Sequence, residues 1–471
     1  MTKRVSVESA PGPLEDYAAR FDGLFANRAQ REGFRRCLEG LLLPGERNKT
    51  LTALANTEPV AGAQRKEAQS LQWFLTESNW DPEGVNRRRV ELMLGDPASA
   101  PTASGALVID ETGDRKDGKA TAHVGKQYLG GIGEIDNGVV SVSSLYADER
   151  LYYPLDVEPY TPEHHFEGGR KDPEFRARLE TAFKLVERAV EMELPFRAVA
   201  ADSLYGEDLG LREALLEADV PYAMALRPSH AWWARPEQIG NVWEAALSSP
   251  WDGPDSPGGW VALQRSFRGG RAEEWWALEA EGGPYGTESS ERLVVVSTDP
   301  ETLPERSTSC LVTSLPAPDS GRAENGRRSA ADLAEVVRLH TLRLWIEQSY
   351  KQVKNSLGWA HYQARKDLSI RRHWQLVCCA FTFCWWNCAE FLEDEAPPGV
   401  VPGTQEEDIH RSSATSQAER GKKERQKPAA SRMLAGDIEE GASMAGALRN
   451  AAALLESVLG QGPAGGAEEA A

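Results

Sequence analysis

Between residues 106 and 226, short apolar runs alternate with segments of helical period, and this rhythm limits the chain more than any other feature. Ala106–Asp110 is apolar enough for a buried strand. Gly138–Ala147 and Arg150–Val157 read as two further strands joined by a tight turn. Phe175–Glu193 has helical period and is stopped by Pro195. Phe196–Ala201 is another buried strand, followed by a helix near Leu209–Ala218 and the strand Tyr222–Leu226. Three strands followed by alternating helix and strand predict an α/β fold, a mixed sheet covered by helices.

The flanking segments read differently. Residues 1–13 form a loose, Pro-containing arm. Residues 14–99 read as a helical N-terminal domain, with Phe21, Leu24, Phe25, Phe34, Leu38, Leu41 and Leu42 at helical spacing, then Ala68, Leu71, Phe74 and Leu75. Asp96, Pro97 and the small residues after them mark a linker into a first core segment, 100–227. Residues 228–328, rich in Trp, Gly and Pro, read as a β-rich insertion with strands at Trp260–Leu263, Trp275–Ala280, Arg292–Ser297 and Cys310–Ser314. A second core segment, 329–394, carries long helices at Ala330–Ser356 and Ser369–Leu392. The tail, 395–471, is expected to be mostly disordered beyond Pro397 apart from a short helix at Ala445–Leu459.

Composition excludes several classes. Even the most apolar stretch, Trp374–Leu392, contains Gln375, Asn387 and Glu390, which favours a buried core helix over a membrane span. The N-terminus lacks a basic-then-apolar leader, so a cytoplasmic protein is expected. Six cysteines in 471 residues are too few for a disulfide scaffold. The four at Cys378, Cys379, Cys384 and Cys388 lie in an apolar helical run and read as reduced core thiols rather than zinc ligands. A net charge of −19 opposes a nucleic-acid partner, yet residues 329–392 hold eight basic and five acidic side chains. A local basic patch can still bind phosphate.

Three acids stand out. Asp110 ends the first buried strand and Asp202 ends a later one, on the rim where sheet proteins build sites. Each alone reads better as a cap on the following turn or helix, and the pair is the more informative signal. Glu347 lies within the expected helix Ala330–Ser356, where His340, Arg343, Glu347, Lys351 and Lys354 follow one another at intervals of three and four residues on one face. Leu339, Leu342, Ile346, Val353 and Leu357 form an apolar stripe on the other side. An ordinary solvated face with i±4 ion pairs would look the same. Three carboxylates from separate elements also meet what magnesium requires, hard oxygen ligands beside a phosphate, with neighbouring Arg and Lys to orient the anion.

In these residues the chain resembles the DDE transposases of bacterial insertion sequences, more narrowly the group numbered seven-hundred-and-one. The signature Tyr-x2-Arg-x3-Glu-x6-Lys is matched by Arg343, Glu347 and Lys354, with His340 at the Tyr position. The segments around Asp110 and Asp202, and Gly358-Trp-Ala-His-Tyr-Gln-Ala-Arg, are also similar to that family. The resemblance implies an RNase H-like core interrupted by a β-rich insertion. It implies that Asp110, Asp202 and Glu347 are catalytic and hold two Mg2+ ions, with Mn2+ able to substitute. His340, Arg343, Lys351 and Lys354 would contact DNA phosphate. The partners implied are the element's terminal inverted repeats and target DNA, bound by a homodimer in the working complex, in the cytoplasm at the nucleoid. A domesticated nuclease, or a noncatalytic DNA-binding regulator descended from a transposase, stays open as an alternative.

Weaker features remain. Glu111 and Asp114 are acids close to the first strand end. Arg28, Arg31, Arg35, Arg36, Arg47 and Lys49 could read DNA from the helical block, although Glu32, Glu39 and Glu46 are interleaved. The charged run Glu419–Lys427 fits a solvated tail better than a DNA contact. Trp232, Trp233, Trp275 and Trp276 are better explained by packing than by stacking on a base.

Overall fold

The computed structural model describes residues 12–44, 47–235, 238–266, 272–280, 282–283, 290–321, 328–386 and 399–402. The chain divides into two compact units. One contains the described residues up to Val220 and from Leu342 onward to 386; the other contains Pro221–Thr341 and 399–402.

The first unit opens with helices α1 (Gly12–Ala18), α2 (Arg28–Leu42), α3 (Leu51–Leu54), α4 (Lys66–Thr76) and α5 (Pro82–Gly95). Their starts follow local chemistry. The Asn27 side chain accepts from the Gln30 amide to cap α2, and Asp81 accepts from the Glu83 and Gly84 amides ahead of α5, which has Pro82 in its first turn. The strands are β1 (Ala106–Arg115), β2 (Gly125–Leu129), β3 (Glu134–Ala147), β4 (Tyr152–Tyr160) and β5 (Ala198–Ala201). β3 pairs antiparallel with β1, β2 and β4, while β1 pairs parallel with β5. Helices α6 (Arg178–Glu191), α7 (Ser203–Gly206) and α8 (Leu209–Glu217) surround β5 in sequence, and α11 (Leu344–Asn355) and α12 (Asp367–Trp386) complete the unit.

α12 is buried along most of its length and joins the N-terminal helices and the sheet in one core. Tyr17 and Thr382 share a hydrogen bond of 2.9 Å. Arg372 donates to the Trp80 carbonyl at 2.7 Å, and Trp385 donates to the Tyr152 carbonyl at 2.7 Å. Edge strand β4 is also held by charge. Asp156 pairs with Arg188 of α6, and Glu158 pairs with both Arg188 and Arg371 of α12. The residues expected as a separate helical domain therefore share the unit of the strands that carry Asp110 and Asp202.

The second unit carries an antiparallel run in the spatial order β6 (Tyr222–Leu226), β12 (Thr308–Thr313), β11 (Arg292–Ser297), β10 (Ala272–Ala280), β9 (Val261–Ser266) and β13 (Gly399–Pro402). A separate pair, β7 (Ala231–Arg235) and β8 (Gln238–Asn241), is followed by α9 (Val242–Leu247); α10 (Leu333–Thr341) closes the unit. The expected interruption is β-rich, but the unit begins and ends outside 228–328, taking in β6 and α10. Within the tail expected to be mostly disordered, residues 399–402 pair with β9 as β13. The run Glu419–Lys427, the helix expected at Ala445–Leu459 and Cys388 lie outside the described residues.

The single helix expected over Ala330–Ser356 is broken at Leu342 and Arg343. The Thr341 hydroxyl donates to the Arg338 carbonyl at 2.7 Å, competing with the helical ladder. Beyond the break the Trp345 and Ile346 amides reach back only three residues, to Leu342 and Arg343. Even so, Leu339, Leu342, Ile346, Val353 and Leu357 are all buried, as their spacing predicts.

Arg89 of α5 is fully buried and donates to the carbonyls of Pro154 and Leu155 in β4. Arg89→Ala removes these donors and leaves a void. Urea unfolding followed by tryptophan fluorescence should show a loss of about 2–4 kcal/mol. A loss below about 0.5 kcal/mol, the size of a neutral surface change, would show that this contact does not hold the helices to the sheet.

Candidate active site

The geometry of the site begins with the parallel pair β1 and β5. Their register runs from Ala106 opposite Ala198 to Ile109 opposite Ala201. Asp110 and Asp202 are each the next residue. Neighbouring strands lie about 4.8 Å apart, and equal positions in parallel strands project to the same face. The apolar runs before each acid bury the strands, so the acids emerge where burial ends. Asp202 also behaves as the cap that its position suggested, accepting from the Leu204 amide at 2.9 Å.

Glu347 arrives on α11, whose rotation is set by its buried side. Trp345 stacks on Tyr152 with ring centroids 4.6 Å apart. Gln352 and the Tyr152 hydroxyl are hydrogen bonded, and Ile346, Ser349 and Val353 are buried. The opposite side reaches β1. Tyr350 donates to the Asp110 carbonyl at 3.0 Å, and Lys354 donates to the Gly113 carbonyl at 3.0 Å. Arg343 and Glu347 precede Tyr350 by seven and three residues, which is one helical face. The Arg343 guanidinium lies 3.2 Å from Glu347 and 3.8 Å from Asp110, bridging the two carboxylates.

Charge confirms that the three acids are neighbours. Burial pushes the Asp110 carboxyl up to about 7; Arg343 pulls against this, while the like charges of Asp202 and Glu347 add to it. Glu111 is also raised by burial, although Arg178 of α6 pairs with it at 2.6 Å. Tyr205 of α7 and Tyr350 are buried phenols held well above their ordinary range by desolvation, so both remain protonated donors. Acids Asp110, Glu111 and Asp202 all act on Tyr205, whose hydroxyl has no hydrogen-bond partner among the described residues.

Among the described residues, no group of three or more Asp, Glu, His or Cys side chains is drawn tightly enough to cage an ion. The donor chemistry nevertheless suits a hard divalent cation. All three acids offer oxygen, and Asp110 is half-buried beside two like charges. The Arg343 guanidinium supplies positive charge between Asp110 and Glu347. Three carboxylates could close on a divalent ion once Arg343 withdraws.

The model for the DDE superfamily endonucleases matches residues 20–274. This span includes Asp110 and Asp202, and Glu347 lies beyond it. The chain is also similar to a probable transposase for insertion sequence element IS701 from Microchaete diplosiphon, at 30% identity over 353 residues, covering 74% of this chain and 81% of the relative. The chain belongs to the DDE superfamily of endonucleases. This DDE endonuclease is a DNA-cleaving transposase, and enzymes of its superfamily generally use divalent metal ions. Among its described residues, no helix is long and apolar enough to cross a membrane.

The other expected contacts divide. Lys351 is exposed, whereas Lys354 is half-buried and paired with the buried Asp114 at 2.8 Å. His340 belongs to α10, across the helix break, so it does not share one continuous helical face with Arg343, Glu347, Lys351 and Lys354. The arginines of the N-terminal helices are largely engaged. Arg35 is buried against Glu15 and Asp22, Arg31 is buried, Arg28 pairs with Glu32, and Arg47 and Lys49 donate to carbonyls. Among the described residues, only Arg36 of that set is exposed without such a partner. Trp232, Trp275 and Trp276 are buried, and the Trp233 side chain lies outside the described residues.

Sequence reasoning missed Tyr350, Arg178 and Tyr205. Tyr350 carried a signal, since it stands three residues after Glu347 on the same helix. Arg178 carried none, because its partner Glu111 is 67 residues away. The segment Gly358–Arg365 proves to be a brace. Lys116 donates to the Ala360 carbonyl and lies 3.5 Å over the Tyr362 ring, and the Ala122 amide donates to the Arg365 carbonyl. Its first residue must be glycine, with a φ of 72° and a Cβ position that would meet Lys49.

The raised Asp110 carboxyl sets a pH dependence in chelator. The folded protein holds this proton up to about 7, whereas the unfolded chain releases it near the ordinary value of 3.8. Its contribution to stability is therefore full below about pH 4 and lost as pH rises to about 7. Asp110→Asn should remove that slope and be more stable than wild type at neutral pH, by up to about 4 kcal/mol. Parallel stability curves for the two proteins between these pH values would contradict the assignment.

Proposed function

We propose that this transposase cleaves strands at the ends of its element and joins the freed 3′-hydroxyl ends to target DNA, using Asp110, Asp202 and Glu347 to hold two magnesium ions. The observation that carries this reading is the convergence of β1, β5 and α11 on one rim, where Arg343 bridges Asp110 and Glu347. Bound magnesium, or manganese in its place, would activate the attacking oxygen and stabilise the leaving one.

The chain's own residues have distinct tasks in this reading. The register of β1 and β5 presents the carboxylates of Asp110 and Asp202 side by side. Stacking of Trp345 on Tyr152 fixes the rotation of α11, and thus the reach of Glu347. Arg343, released from the two acids, binds a phosphate through two parallel hydrogen bonds. Exposed Lys351 adds a mobile positive charge beside it. Lys354, paired with Asp114, is the less available lysine and steadies α11 on β1. His340 is proposed as a further phosphate contact. The fold that carries this chemistry would be RNase H-like, built from 100–227 and 329–394, with the working complex a homodimer on paired ends at the nucleoid.

The test uses the native element ends and a divalent ion. Asp110→Ala, Asp202→Ala and Glu347→Ala should each lower the cleavage rate about a thousandfold, because metal stabilisation of the transition state amounts to several kcal/mol. Variants that cut as fast as wild type would show that the chemistry lies elsewhere. Arg343→Gln should weaken DNA binding and flatten its salt dependence by about one ion, as loss of a phosphate contact requires. An unchanged salt slope would remove Arg343 from the phosphate.

A further inference from the structure

The turn between β2 and β3 presents an apolar face that the catalytic chemistry does not use. Nine large apolar side chains are exposed among the described residues, and three of them lie within eight positions: Tyr128 at 55%, Ile132 at 48% and Ile135 at 70%. Tyr128 stands directly opposite Ile135 across the strand pair. Exposed Lys126 lies two residues before Tyr128, on the same face. Acids Asp117 and Glu134 are exposed nearby, so net charge contributes little to this patch.

Its direction points to the occupant. β1 runs past Asp110 to Arg115, and β3 continues beyond β1 to Glu134, paired there only with β2. The hairpin therefore extends outward from the rim that carries Asp110 and Asp202. Ser143 lies opposite Asp110, and Ile135 is eight residues further along β3. At strand rise this is about 27 Å, which is less than one turn of duplex DNA. DNA held at the acids lies within reach of the tip.

The glycines at the turn agree. A Cβ at Gly130 or Gly131 would meet nothing within 4 Å, and neither has the positive φ seen at Gly133. The free protein needs no glycine at these two positions. A backbone left bare where neither conformation nor packing demands it suits close approach of a ligand.

Building on the transposase reading above, we propose that Tyr128, Ile132 and Ile135 form a stacking surface for unpaired bases less than one helical turn from the scissile phosphate. An aromatic and two branched aliphatic side chains suit the faces of bases exposed when a duplex opens, and stacking tolerates any sequence. Lys126 would hold the adjoining backbone.

The test measures anisotropy of a labelled duplex, fully paired or carrying an unpaired bubble, with the full chain in chelator. Wild type should favour the bubbled duplex, and Tyr128→Ala should reduce that preference about tenfold, the stacking contribution of one base. Gly131→Ala, which meets no clash in the free protein, should fold normally yet weaken both complexes. Cleavage by wild type on addition of a divalent ion reports on the acids independently, so a failed stacking surface and a failed active site are told apart. Equal binding of both duplexes by wild type overturns the proposal, as does an unchanged preference in Tyr128→Ala. A shift from dimer to monomer in Tyr128→Ala, with base preference intact, overturns it in favour of a second copy of the chain.

Discussion

The pairing of β1 with β5 carries the rest of the site. Ile109 opposite Ala201 leaves Asp110 and Asp202 as the next residues of two adjacent parallel strands. A slip of one residue would turn one acid to the other face of the sheet. Burial guards against that slip, because Leu107, Val108 and Ile109 are within the core, as are Val199, Ala200 and Ala201. The same strands order everything around them: α11 is aligned by contacts to Tyr152, Asp110 and Gly113, and the segment after it braces the base of the β2–β3 hairpin.

Arg343 offsets the crowding of negative charge in this arrangement. Burial makes Asp110 hold its proton more tightly, and the like charges of Asp202 and Glu347 add to this. A guanidinium between Asp110 and Glu347 offsets part of that repulsion. It also reconciles an acidic chain with a nucleic-acid substrate. The net charge of −19 belongs to the whole chain, whereas residues 329–392 hold eight basic and five acidic side chains.

Much of this was legible in the sequence where burial or helical period dominates. The apolar run before Asp202 marked the end of β5, whereas β1 corrects the expectation that its strand ends at Asp110 and runs on to Arg115; Arg292–Ser297 and Tyr222–Leu226 form strands with the expected bounds. Of the spaced set, Arg343 and Lys354 reach β1 and Glu347 pairs with Arg343, while Lys351 is exposed. Features set by tertiary contact were hidden. β2 is five residues long and flanked by glycines, so its alternation gave a weak signal. The long helix breaks after Thr341, whose hydroxyl bonds the Arg338 carbonyl, and spacing could not reveal that break. Arg35 read as a DNA-reading or solvated cation and is buried against Glu15 and Asp22. Tertiary structure also decided that Lys354 faces Asp114 rather than open solvent.

The most direct measurement is anomalous scattering from crystals of the protein soaked in manganese. The account predicts anomalous density bounded by Asp110, Asp202 and Glu347, with the Arg343 guanidinium withdrawn from its bridge. Manganese bound only elsewhere, with Arg343 still between Asp110 and Glu347, would contradict it.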